Sequence, residues 1–230
     1  MIDLPTLAAI TLLGAVLGLD MVSFPQAMLS RPIVGSTLAG ALCGHTAAGL
    51  VVGVLLECFA LETMPFGASR YPEWGPASVA AGVLAAVPAG GDAAQRIAPF
   101  AVLAGLAAAM LAGRTLVWLR KFNAREAAKH RDEIAAGDAA AIVGLQWTGI
   151  IVDFGRAGAV TALLVVVLVP VRNMVLAQSG TNGVSAVLFA TVVAVGVGGG
   201  AFWKVVHNTR GYGWWLLAGL VVGLGVMVAR

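Results

Sequence analysis

A carboxylate inside an apolar run is the first feature of this sequence that could do chemistry. Glu57 is the one charged residue between Thr46 and Leu61. Placing an ionised carboxylate in hydrocarbon costs about 2.5–3.5 kcal/mol on insertion scales, so its presence there calls for a reason. One reason is a wet cavity in which the two oxygens accept hydrogen bonds from a pair of sugar hydroxyls. The other is structural: a carboxyl held neutral, or paired with Arg31 or Arg70, that fixes neighbouring segments. Asp20 and Gln26 carry the same two readings, sugar contact or the capping of a helix end. Arg31, directly before Pro32, reads as a structural cation at a segment entrance. His45 sits in a turn between apolar pieces, where capping competes with ligand binding, and Glu62 faces an interface.

A second constellation is Asp153 and Arg156, which interrupt the apolar run Ala139 to Val171. At i, i+3 they share one helical face and can form a buried pair. A proton relay is the alternative. No enzyme motif accompanies either group: there is no phosphate-binding loop, no GxSxG, no HExxH and no dinucleotide fingerprint. His130 lies in a charged loop and His207 beside a span. Cys43 and Cys58 lack metal-ligand or disulfide-framework spacing and behave as small buried hydrophobes. No catalytic residue, metal or cofactor is expected.

The elements that must position these residues are membrane segments. The chain is 60% hydrophobic and 11% charged, with a mean hydropathy of +0.93, outside the range of soluble globular domains. Its +3 charge is too small and the chain too apolar for a nucleic-acid partner. A helical span needs roughly 20 apolar residues. Leu4 to Leu19, Pro32 to Cys43, Thr46 to Leu61 and Ala77 to Ala89 all fall short, and breakers separate them: Met21 to Arg31, Gly44-His45, Met64-Pro65-Phe66-Gly67, and a turn from Tyr71 to Pro76. Non-helical backbone at membrane depth survives only where protein or a wet cavity surrounds it. Four short pieces in succession therefore predict two re-entrant helical hairpins. GxxxG spacing at Gly14/Gly18, Gly40/Gly44, Gly49/Gly53, Gly196/Gly200 and Gly219/Gly223 adds close helix contacts.

Beyond residue 92 the spans lengthen. Ile97 to Leu119, the interrupted run from Ala139, Val184 to Trp203 and Gly213 to Val228 give about four transmembrane helices. The expected organisation is one all-α membrane domain, with a hairpin region over 1–92 and a spanning region over 93–230. Five of the 14 Lys and Arg residues fall between Arg120 and Arg131. That excess places 120–138 in the cytoplasm, with a second basic connection at Lys204, His207 and Arg210 on the same side. The first apolar run lacks a cationic leader and a cleavage site, so it is expected to stay in the mature chain.

At GLDMVSFPQAMLSRPIVGSTLAG, GLVVGVLLECFAL and MPFGASRYPE the sequence resembles the IIC subunit of the mannose/fructose/sorbose family of the bacterial phosphoenolpyruvate-dependent sugar phosphotransferase system. The likeness continues, mostly as hydropathy, through QWTGIIVDFGRAG and HNTRGYGWW. The resemblance implies two re-entrant hairpins plus about four spans in the bacterial inner membrane. It implies a IID-type membrane partner, and soluble IIA and IIB phosphocarriers that hold the phosphohistidine and phosphocysteine chemistry. On it, Asp20, Gln26, Glu57 and the turn Pro65, Gly67 and Ala68 match the sugar-site motifs. Two positions depart from the family pattern, Gly44-His45 and the second carboxylate at Glu62.

Overall fold

The computed structural model describes residues 2–62, 71–87 and 93–178, with short helical pieces among 191–222. The turn 63–70, with Pro65, Gly67, Ala68 and Arg70, and most of the last two predicted spans lie outside the described residues.

Helix α1 (Leu4–Asp20) begins where the sequence supplies a cap: Asp3 Oδ1 accepts the Thr6 N–H at 3.3 Å, and Pro5 occupies the first turn. Pro32 starts α2 (Pro32–Leu42) in the same way, at a position that has no intrahelical N–H bond to lose. A short turn follows, in which Gly44 takes a φ of +77°. The chain then reverses into α3 (Thr46–Glu62). The α2–α3 pair is the first expected hairpin. Its helices meet so closely that a Cβ on Gly49 would stand 2.2 Å from the Ser36 carbonyl oxygen and 2.9 Å from Gly40 Cα. The small-residue spacing seen in the sequence thus seals the hairpin instead of leaving lipid between its arms.

Helix α4 (Trp74–Ala86) is the centre of the molecule, and all 13 of its residues are buried. Here the structure corrects one expectation. The turn predicted over Tyr71 to Pro76 ends at Glu73, and Trp74, Gly75 and Pro76 form the first turn of α4. The first helical N–H groups have no intrahelical acceptor, so Pro76 costs nothing there. At about 20 Å, by the 1.5 Å rise per residue, α4 is too short to span. It runs alongside α2, with Ser36 Oγ donating to the Ser78 carbonyl at 2.8 Å. Val52, Leu56, Ala77, Leu84, Ala101 and Ala108 fill the core between α3, α4 and α5, and Ile10, Leu17, Val79, Val83 and Val165 fill the core on its α1 and α7 side.

Helix α5 (Ala93–Lys129) and helix α7 (Ala139–Gln178) are the two described helices long and apolar enough to cross a membrane. Both outrun their predicted bounds, α5 at both ends and α7 beyond Val171, and Pro99 and Pro170 lie inside them. The charged segment 120–138 continues α5 by ten residues, to Lys129, and adds the short α6 (Arg131–Ala135). Helix α1 lies along α7. A Cβ on Gly14 would overlap Thr161 and one on Gly18 the Ala157 methyl, so glycine is required for this approach.

Candidate functional site

One end of the bundle gathers the C-terminus of α1, the connection 21–31, the start of α2, the last turns of α3 and the start of α4. Asp20 builds the connection. Its carboxylate, 2% exposed, accepts the Ala27 N–H at 2.7 Å and the Ser30 N–H at 2.8 Å. Asp20 thus binds the backbone of the connection itself rather than a helix end. The connection holds a cis Phe24–Pro25 bond, and Gln26 and Met28 have φ of 59° and 60°. Positive φ at non-glycine residues costs of order 1 kcal/mol or more and is tolerated where the surroundings impose it. Gln26 is exposed, and its Nε2 donates to the Val22 carbonyl at 2.9 Å, leaving its carbonyl end free of that contact.

Glu57 closes the base of the α2–α3 hairpin. Its Oε1 accepts from Arg31 Nε at 2.6 Å and also meets Arg31 Nη2, while Oε2 accepts the Ile33 N–H at 3.2 Å. The carboxylate thus caps the first turn of α2 and neutralises Arg31. About a fifth of each side chain remains exposed, so the pair is not sealed from a ligand. His45 is at the other end of the hairpin, roughly 17 Å along α3 at 1.5 Å per residue. Its Nδ1 lies 3.1 Å from the Cys43 carbonyl oxygen, and its own carbonyl accepts the Ala48 and Gly49 N–H groups. That is the turn role. Glu62 ends α3.

Asp153 and Arg156 form the pair their spacing predicts, with Nη2 and Nε of Arg156 at 2.6 and 3.1 Å from Asp153 Oδ1. The sequence reading missed the larger partner, Glu73. Arg156 grips it as a bidentate fork, Nη1 to Oε2 and Nη2 to Oε1, both at 2.7 Å. Nη1 also donates to Thr115 Oγ1 at 2.6 Å, and Ser23 Oγ donates to Asp153 Oδ2 at 2.5 Å. Glu73 and Asp153 are wholly buried. Two carboxylates on one guanidinium fasten α4, α5, α7 and the connection to one another. One signal could have found Glu73: it is the acidic residue of the quoted MPFGASRYPE element, directly before an apolar helix.

Arg172 is a second missed residue, this time a cation. It is 1% exposed, and its Nε and Nη2 donate to the Leu84 and Val87 carbonyls at 2.6 and 2.5 Å. Helix α4 thus has a carboxylate at its N-terminal end and a guanidinium at its C-terminal end, the arrangement that its dipole favours. Among the described residues no group of three or more His, Cys, Asp or Glu side chains could hold a metal ion.

A family model for the sorbose-specific IIC component of the phosphotransferase system matches residues 5–205. The chain belongs to that family. Two solved structures share the fold of this IIC component. One, described as a membrane protein, is 16% identical with a TM-score of 0.78, over 100% of this chain and 94% of that one. The other is the mannose transporter ManYZ in complex with microcin E492, 17% identical with a TM-score of 0.59, over 99% of this chain and 93% of that one. No curated protein matches the IIC chain by sequence. The all-α membrane fold expected from segment lengths is thus the fold observed.

Proposed function

We propose that this IIC chain is the sugar-translocating subunit of a phosphotransferase permease in the bacterial cytoplasmic membrane. It binds a hexose-type sugar and presents it to soluble IIA and IIB proteins, which carry the phosphoryl chemistry, so the chain itself is not an enzyme. A IID-type membrane subunit completes the complex. The observation that carries the reading is the convergence on one bundle end of the Asp20-folded connection, Gln26 and the half-open Arg31–Glu57 pair. The sugar contacts we propose are Glu57, Gln26 and the turn with Pro65, Gly67 and Ala68, with Asp20 holding the connection that presents Gln26. Glu57 offers carboxylate lone pairs beyond those used by Arg31 and Ile33, and Gln26 offers an amide carbonyl. Arg31 orients Glu57, and Asp153 and Arg156 hold the frame.

Uptake into vesicles carrying this chain and its IID-type partner should require phosphoenolpyruvate with IIA and IIB, and the sugar should accumulate as its phosphate. Uptake that proceeds without phosphoenolpyruvate would replace this reading with an unrelated secondary transporter. Assembly with no uptake under any condition would leave a scaffold or regulatory subunit.

The tip joining α5 to α7 is placed in the cytoplasm on its basic residues. In a chain with Cys43 and Cys58 replaced, Lys129→Cys should resist an impermeant thiol reagent in intact cells and react in inside-out vesicles. Labelling in intact cells would invert the topology.

A further inference from the structure

Beyond the connection, a cleft of about 320 Å³ opens between the tip-proximal ends of α5 and α7. Its volume falls within the range of small-ligand sites, about 300–1,000 Å³. Polar side chains from three elements line it: Ser23 of the connection, Asn123 and Glu126 of α5, and Gln146 and Thr148 of α7. Asn123 and Gln146 each present a donor and an acceptor, and neither carboxamide has a hydrogen-bond partner among the described residues. Gly149 sits opposite Asn123 across the cleft, where a Cβ would be in ordinary contact, 3.5 Å from Asn123 Nδ2. Glu126 spends Oε1 on Lys129 at 2.6 Å and has a second carboxylate oxygen besides.

We propose that this cleft is a second, cytoplasm-facing subsite that takes a neutral, monosaccharide-sized polyol and rejects its phosphate ester. The inference rests on the translocation reading above and extends it to the exit side. Paired amides, hydroxyls and one carboxylate are the groups that satisfy vicinal sugar hydroxyls. No Lys, Arg or His is among the described residues that line the cleft, and the Glu126 oxygen left over from Lys129, an acceptor only, offers a phosphate dianion no donor. The position supports the assignment. Ser23 touches the cleft and also donates to Asp153, so one residue of the connection joins the cleft to the buried ionic cluster. The connection that carries Gln26 thus also reaches the cleft, and a sugar held there would lose its affinity once phosphorylated.

The test uses the chain assembled with its membrane partner in detergent, with Cys43 and Cys58 replaced by Ala and Ala127→Cys placed in the cleft wall. Sorbose, mannose and fructose, each with its phosphate ester, are the probes. Equilibrium dialysis identifies which sugar binds, and the rate of maleimide labelling at position 127 reports the cleft. A sugar that binds should slow labelling about tenfold at ten times its cleft Kd, since only the empty cleft reacts. Its ester should leave the rate unchanged. The double change Asn123→Ala with Gln146→Ala, on exposed helix positions where alanine favours the helix, should abolish the slowing. Binding without slowing removes the subsite while leaving translocation intact. Slowing that survives the double change, or is matched by the ester, also overturns the assignment. Binding of none of the three sugars defeats the translocation reading and this one together.

Discussion

Arg156→Met is expected to cost about 3–5 kcal/mol of stability, the penalty for leaving a buried charge without its counter-ion. Glu73 and Asp153, both fully buried, would then face each other across the space the guanidinium held. The loss should appear as a fall of many degrees in the thermal transition of the assembled complex and a sharp drop in its yield. Arg156→Lys should recover little, because one ammonium cannot reproduce the fork on Glu73 while also reaching Asp153 and Thr115. Replacing the whole group by neutral residues is a different experiment. Arg156→Met combined with Glu73→Gln and Asp153→Asn removes every charge, and such replacements are often neutral or stabilising. The triple variant should therefore be more stable than the single one. A single Arg156→Met variant with unchanged thermal stability would show that the cluster does not hold the helices together.

Glu57→Gln should weaken sugar binding about ten- to a hundredfold with assembled yield close to the parent. The change keeps the shape and one acceptor but loses charge-assisted hydrogen bonds, each worth roughly 1.5–3 kcal/mol. Its effect on stability should be smaller than that of Arg156→Met. With about a fifth of each side chain exposed, water can solvate Arg31 once its partner is neutral. Complex yield and equilibrium binding, measured on the same preparation, separate the two roles of Glu57. Poor yield rescued by Arg31→Gln would make Glu57 a structural partner only. Normal yield with unchanged binding would remove it from the site altogether.

The sequence alone determined whatever depends on neighbours along the chain. Apolar runs too short to span, with Gly44 between two of them, specified the α2–α3 hairpin, because backbone reversal and segment length are local properties. The i, i+3 spacing of Asp153 and Arg156 specified their pairing, since a helix fixes which side chains meet three residues apart. Two partners had been open for Glu57, and the fold brings Arg31, 26 residues away in sequence, onto its carboxylate. The packed end of α1 likewise decided that Asp20 folds the connection through the Ala27 and Ser30 N–H groups. Glu73 was beyond local reading altogether. It lies 83 residues from Arg156, and only the packing of α4 against α7 brings a carboxylate at one helix start to a guanidinium in the middle of another. The same holds for Ser23 and Asp153, 130 residues apart, and for Arg172, whose carbonyl acceptors belong to the far end of α4. Spacing encodes what one helix does with its own side chains. Which helices then share those side chains is set by how a buried, 13-residue α4 satisfies both of its ends inside the bundle.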